Sequence, residues 1–262
     1  MANMTSSVSA SQVAGELASA TFEEIPALVE HYREDPRQQV IKACERALKR
    51  HAKELAERER VNDMYELMHE LGGDGVVVGV DEVGRGSVAG PLTVCAVCLP
   101  MEPRVWGIND SKKLTPARRE LLSVKIAEVA TAIGFCHIAP KDIDEMGMAR
   151  AIRTAVAGAV ADTGLEPDCV LMDGNPLGAV PNERDVVKGD AKIACIAAAS
   201  IMAKVTRDEM MVEYDAEYPE YHLAESKGYA SPEHIEAIRK HGLCPLHRVS
   251  FCGNFLQTDR LF

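Results

Sequence analysis

Apolar positions along the chain change period several times, and each change marks an element. Residues 1–20 are rich in Ser and Ala with no sustained apolar period, which predicts a disordered tail. From Thr21 the spacing of Ile25, Leu28 and Val29 gives a helical stripe, and Thr21 with Glu24 has capping-box spacing. Asp35-Pro36 stops that helix and starts another, because Asp caps helices and Pro suits the first helical position. The second helix is predicted over 38–60 and on towards 64–71, with Ile41, Cys44, Leu48 and Leu55 as its apolar face. Gly72, Gly73 and Gly75 end it and mark a domain boundary. The chain therefore divides into a tail (1–20), a helical extension (21–72) and a larger domain (73–262) with a helical C-terminal region.

In the larger domain the period shortens. β-branched or continuously apolar runs predict strands at 76–82, 90–100, 133–140 and 168–174, with a short fifth at 185–190. A helix follows Thr115-Pro116, another runs from Asp142 to Thr163, a long Ala-rich one spans 191–214, and the last clear one begins at Ser231-Pro232. The early strands are adjacent and the later ones alternate with helices. That order predicts an α/β fold with a mixed sheet flanked by helices.

Composition narrows the class. The chain has 262 residues, 47% of them hydrophobic, enough for one large core. No apolar run approaches the ~20 residues of a membrane span, and the polar start does not read as a secretory signal. A cytoplasmic protein is expected. Most of the eight cysteines lie in apolar stretches and read as small buried hydrophobes. Cys95 and Cys98 have CxxC spacing, but three steps along a strand turn two side chains to opposite faces, poor geometry for one metal. The net charge of −11 speaks against generic nucleic-acid binding, so any such contact must come from local basic stretches and bridging ions. One stretch is the helical stripe Lys42, Arg46, Lys49 or Arg50, and Lys53, which reads equally as a solvated face or a track for phosphates.

Acids recur at the carboxyl ends of the predicted strands, where sites form in open α/β sheets. Asp81 and Glu82 close the first strand, Asp173 the fourth, and Asp190 follows the fifth. Each has a plain alternative: strand-end charges for Asp81 and Glu82, a turn for Asp173-Gly174, a helix cap for Asp190. Together they would repel one another unless hard divalent cations, Mg²⁺ or Mn²⁺, joined them. Neighbouring strand residues face opposite ways, so Asp81 and Glu82 share a site only if the chain bends, for which Val83-Gly84 is the candidate. Gly84-Arg85-Gly86 is not read as a dinucleotide loop, because two acids precede it where a pyrophosphate would sit. No nucleotide cofactor is expected.

The stretches GVDEVGRGSVAGP (79–91), NDSKKL (109–114), LMDGNP (171–176), VVKGDAKIACIAAASIMAKVTRDEM (186–210) and KGY (227–229) resemble bacterial ribonuclease HII, in the family's order from about 76 to 230. The resemblance implies an RNase H-like fold, with Asp81, Glu82, Asp173 and Asp190 as the catalytic, metal-holding carboxylates of a two-ion site. It implies an endonuclease that cuts RNA in RNA–DNA hybrids and incises 5′ to single ribonucleotides in duplex DNA, leaving 3′-hydroxyl and 5′-phosphate ends. It further implies substrate contacts from Gly84, Arg85, Gly86, Ser200 and Tyr229, the last sensing the 2′-hydroxyl. Lys112, Lys113, Lys188, Lys204 and Lys227 become candidate phosphate contacts. Glycine would let the main chain approach the ribose, where a Cβ would block it. The chain departs from the family's common pattern at Cys195, Ser226 and Val249, where Ser, His and Arg are frequent. A hybrid-binding protein that does not cut, or a related nuclease of DNA junctions, are the alternative readings; a monomer is expected.

Two terminal features remain. His241, Cys244, His247 and Cys252 cluster in sequence, but their spacing matches no standard finger, and zinc is not expected. Gln257, Leu261 and Phe262 resemble the tail peptide by which bacterial replication and repair proteins dock on a sliding clamp; an ordinary chain terminus is the alternative.

Overall fold

The computed structural model describes residues 8–256. The chain forms two compact units that divide between Asn62 and Asp63.

The first unit contains α1 (Ala10–Ser19), α2 (Ile25–His31) and most of α3 (Gln38–Gly72). The expectation of disorder over 1–20 lies outside the described residues up to residue 7 and is corrected beyond it: Ser9 caps α1 with a complete capping box, its hydroxyl accepting from Gln12 N and the Gln12 side chain accepting from Ser9 N. The short helix is held by packing rather than propensity, with Val13 and Leu17 buried against Ile25, Val40, Ala43 and Ala47. Arg50 adds three bonds from its guanidinium to the carbonyls of Leu17, Ala18 and Ala20, a cation on the carbonyl end of α1. Thr21 and Glu24 do bond, but α2 starts only at Ile25, and Asp35 spends its carboxylate on Arg37 ahead of an α3 that begins at Gln38.

The apolar face assigned to α3 is also corrected. Ile41, Leu48 and Leu55 are exposed, while Val40, Ala43 and Ala47 are buried. The true seam lies about one residue back, roughly 100° round the helix. Small Ala side chains let the helices approach closely, and the larger residues are left outside.

The second unit holds a five-stranded sheet in the order β3-β2-β1-β4-β5. Its strands are β1 (Val77–Val83), β2 (Leu92–Cys98), β3 (Ala132–Ile138), β4 (Cys169–Asp173) and β5 (Glu183–Val186). β1 pairs antiparallel with β2 and parallel with β4, giving the expected mixed sheet. Its helices are α4 (Pro116–Val129), α5 (Pro140–Met146), α6 (Met148–Asp162), α7 (Ala194–Glu217), α8 (Leu223–Ser226), α9 (Pro232–His241) and α10 (Val249–Cys252). The helix expected from Asp142 to Thr163 is two helices, because Gly147, at φ +78°, turns the chain between α5 and α6. Thr115 caps α4 as expected, and α9 starts at Pro232 behind a Ser231 cap.

One sheet face packs Val78, Val80, Val94, Ala96, Val170 and Met172 against Ile152, Ala155, Val156 and Ala159 of α6. The start of α7, Ala194 to Ala199, is completely buried, as a helix apolar on all sides must be. Cys98 belongs to the α6 face and Cys95 does not, so the CxxC pair is split across the sheet. Burying each large aliphatic side chain here contributes about 1.5–3 kcal/mol.

Candidate active site

The acids gather at the carboxyl ends of the two central parallel strands. Asp81 and Glu82 lie on β1, Asp173 ends β4, and Asp190 sits in a single 3₁₀ turn, Gly189–Ala191, just past β5. Asp190 does not cap α7, whose N-cap is Ile193. Its turn is tied to the neighbouring acid instead, since Gly189 N donates to Asp173 Oδ1 at 2.7 Å.

The chain does turn at the candidate Val83-Gly84, but too late to bring Asp81 and Glu82 to one side. Asp81, Glu82 and Val83 stay paired with Cys95, Val94 and Thr93, and the chain turns only at Gly84, with φ +84°. Glu82 joins the site another way. β1 pairs with β4 only as far as Val80 and Met172, so beyond that point no ladder separates Glu82 from Asp173. The Asp173 charge helps to raise the pKa of both Asp81 and Glu82.

Electrostatics describe a strained cluster. Burial, reinforced by Glu82 and Asp173, pushes the Asp81 carboxyl up to about 8. Burial also raises Glu82 and Asp190, with Asp173 and Asp110 adding to the second. Arg85 opposes this at Glu82, with Nη1 3.6 Å from Oε1. Burial alone would lower the Lys112 ammonium, yet Asp190, Asp81, Asp110 and Asp173 together hold it above its ordinary value. Asp110 is an acid that sequence reading passed over; its carboxylate accepts from Lys112 N, and its place in NDSKKL was the available signal. Among the described residues no three His, Cys, Asp or Glu side chains converge tightly enough to hold an ion as they stand. The chemistry of the set nonetheless suits hard cations: carboxylate oxygens only, buried, and too few basic partners to neutralise them.

The other expected contacts divide. Ser200 is not at a surface. It is buried on α7, hydrogen-bonded to Asp81 on one side and 2.9 Å from the Ser111 hydroxyl on the other. Lys112, Lys113 and Lys188 are all exposed, and Lys112 also stands in the acids' field. Lys204 is engaged 2.7 Å from Asp208 in an i,i+4 ion pair, and Lys227 reaches the Asp208 carbonyl at 3.5 Å.

The two glycines of the GRG loop do different work. At Gly84 a Cβ would sit 2.3 Å from Arg207 Nε and 2.8 Å from the Pro91 carbonyl, so packing excludes it. At Gly86 a Cβ would meet nothing within 4 Å. Only Gly86 fits the expectation of open space kept for a ligand. Tyr229 is 41% exposed, and its loop is bonded to the GRG loop through Val88 N and Ala89 N on the Gly228 carbonyl.

Of the cysteines and histidines near the end, Cys244 N donates to His247 Nδ1 at 3.0 Å, and Cys252 Sγ faces the Val88 carbonyl. His234 on α9, unnoticed in the sequence, completes the group by bonding His247 and the Tyr229 carbonyl.

A mixed five-stranded sheet flanked by helices, with acids at the ends of its central strands, matches proteins of the ribonuclease H type. Among solved structures, ribonuclease H2 from Pyrococcus horikoshii is similar with TM-score 0.59 and 27% identity, over 70% of this chain and 99% of that one. The profile described as Ribonuclease HII matches residues 78–254, and that of the Ribonuclease HII N-terminal domain matches 9–71; the chain belongs to the Ribonuclease HII family. Its curated relatives include Ribonuclease HII of Ruminiclostridium cellulolyticum, 44% identical over 77% of this chain and 80% of the relative. That of Moorella thermoacetica is 47% identical over 74% and 96%. The chain is thus a ribonuclease H, a phosphodiester hydrolase acting as an endonuclease. Among the described residues no helix is long and apolar enough to cross a membrane.

Proposed function

We propose that the enzyme cuts the RNA strand of RNA–DNA hybrids and incises 5′ to single ribonucleotides in duplex DNA, leaving 3′-hydroxyl and 5′-phosphate ends. The observation that supports this is that Asp173 lies near enough to Asp81, Glu82 and Asp190, at the carboxyl ends of neighbouring strands, for its charge to raise the proton affinity of each. These four would hold two divalent ions, Mg²⁺ or Mn²⁺, which supply charge neutralisation and an activated water at the scissile phosphate. Ser200 and the Glu82 amide fix the Asp81 carboxylate by hydrogen bonds. Lys112 brings a cation to the same edge, where a phosphate must enter a negative field. Gly86 leaves room for close approach to the sugar, and exposed Tyr229 offers a ring beside it.

The test is cleavage of a duplex bearing one ribonucleotide. Asp81→Asn and Asp173→Asn are expected to abolish cutting while the duplex still binds, and the all-DNA duplex stays intact. Normal cleavage by either variant sinks the assignment.

We place the activity in the cytoplasm, in keeping with eight free thiols. The clamp-binding reading of Gln257, Leu261 and Phe262 lies outside the described residues and rests on the tail's sequence. The solved complex of PCNA with RNase HII from Archaeoglobus fulgidus is a likeness of fold, at 24% identity and TM-score 0.59. Equal clamp affinity in a chain lacking the last six residues, Gln257 to Phe262, would dispose of it.

A further inference from the structure

Two arginines lie fully buried behind the GRG loop, and every hydrogen bond they make goes to a carbonyl or a hydroxyl. Arg207, on α7, donates from Nε to the Pro91 carbonyl at 2.9 Å, from Nη1 to the Lys227 carbonyl at 2.8 Å, and from Nη2 to Ser87 Oγ and the Ala89 carbonyl at 2.9 and 3.0 Å. Arg248, just before α10, donates twice to the Gly90 carbonyl and once, at 3.2 Å, to the Arg85 carbonyl. Its own N–H reaches the Val88 carbonyl at 2.8 Å. Both are 0% exposed.

Such a guanidinium is a rigid joint. It is planar and carries five donors in fixed directions. Burying its charge is costly, and releasing any acceptor leaves a desolvated charged donor without a partner. The carbonyls of Arg85, Ala89, Gly90 and Pro91 are therefore held facing inward. A trans peptide is planar, with its N–H opposite its carbonyl. Because the Arg85 carbonyl turns in towards Arg248, the Gly86 N–H turns out, at the one glycine of the loop whose Cβ position is open. Arg207 also spans two segments that must act together. It binds Ser87, Ala89 and Pro91 on one side and Lys227 on the other, two residues before Tyr229, whose ring centroid lies 5.9 Å from the guanidinium carbon.

We propose that Arg207 and Arg248 are positioning residues for sugar recognition, holding the loop 84–91 in fixed register with Tyr229 and turning the Gly86 N–H towards the ribonucleotide. This rests on the proposed ribonucleotide specificity, and it assigns that specificity a buried origin. Recognition of one hydroxyl tolerates errors of about 0.5 Å, which mobile loops do not hold unaided. The two charges add a second effect: phosphates approach a loop backed by fixed positive charge in a chain of net charge −11.

The experiment measures affinity and steady-state cleavage for a duplex with one ribonucleotide, and affinity for its all-DNA counterpart. It uses the full chain, Arg248→Lys, Arg207→Lys and the milder Ser87→Ala, with folding checked by circular dichroism. Ser87→Ala removes only one acceptor of Arg207 and a bond to the Gly84 carbonyl. For the arginine variants the ratio of the two affinities is expected to fall about tenfold or more, with KM raised and kcat changed less than about threefold. Ser87→Ala should lower the ratio by a smaller factor in the same direction. If the folded variants, Ser87→Ala included, keep the wild-type ratio and lose only active fraction, the arginines are merely structural and the proposal falls. A wild-type chain that shows no preference for the ribonucleotide would instead overturn the specificity on which it rests.

Discussion

The imidazoles of His234 and His247 meet nitrogen to nitrogen at 3.1 Å, and their outer contacts fix both tautomers. His247 Nδ1 accepts from Cys244 N, so its Nε2 carries the proton and donates to His234 Nε2. His234 then donates from Nδ1 to the Tyr229 carbonyl at 2.8 Å. Tyr221 flanks His247 at 4.8 Å between ring centroids, and no carboxylate is part of the relay. Burial and the neighbouring His234 push His247 down to about 4, and burial lowers His234 as well.

The sign of the resulting pH dependence is set by the unfolded chain, where His247 takes up a proton near 6.5. Its contribution is fully present above that pH and is lost as the pH falls towards 4, by at most about 3 kcal/mol. Urea unfolding at pH 7 and pH 5 should show this loss in the wild type and less of it in His247→Gln. Identical pH dependence in the two proteins would show that the relay does not titrate as described.

Asp81 carries the opposite sign. Its folded pKa of about 8 lies above the ordinary 3.8, so the metal-free fold loses stability as pH rises between these values. Asp81→Asn should therefore melt higher than wild type at pH 8 without divalent ions, by at least about 2 °C, the effect of roughly 1 kcal/mol in a chain of this size. Adding Mn²⁺ or Mg²⁺ should raise the wild-type melting temperature more than that of the variant. An unchanged or lower melting point without metal would contradict the strained cluster.

The paired alanine variants at Gly84 and Gly86 separate packing from recognition. Gly84→Ala forces an L residue to φ +84° and drives a methyl into Arg207 and Pro91. A loss of about 1–3 kcal/mol or more is expected by denaturant unfolding. Gly86→Ala should leave stability within about 0.5 kcal/mol and weaken ribonucleotide binding alone. Equal destabilisation by the two would refute the division of labour.

On α3, Ala47→Leu should cost about 1–3 kcal/mol by overpacking the seam, and Leu48→Ala about 0.5 kcal/mol or less. Thermal melts followed at 222 nm distinguish the two.

That helix also shows where sequence periodicity stops being informative. A stripe of Ile41, Leu48 and Leu55 looks apolar, but close helix packing selects Ala43 and Ala47, which hydropathy barely separates from a polar face. The strands were legible because β-branched runs between Gly and Pro have few other uses. The positions of Asp81, Glu82 and Asp173 near strand ends were legible because continuous apolar runs stop at them. The turn that carries Asp190 was not legible, since a single 3₁₀ turn has no period of its own. The Arg207 and Arg248 contacts span 20 to 163 residues of sequence, and the His234–His247 relay rests on tautomers that only contacts define. Ser200 shows a different limit: a motif tells that a hydroxyl is wanted, not that it will be buried against Ser111, 89 residues away.

The place of β1 at the sheet's middle carries a consequence for motion. Asp81 belongs to a strand laddered on both sides, whereas the turn holding Asp190 follows β5, an edge strand laddered only to β4. Releasing the β1 amides up to Val80 requires both ladders to break, so their hydrogen exchange should follow global unfolding, while amides around Gly189 should exchange through smaller local openings. One carboxylate thus belongs to the central strand of the sheet and another to a turn beyond its edge strand, so exchange measured at the two should report openings of different size.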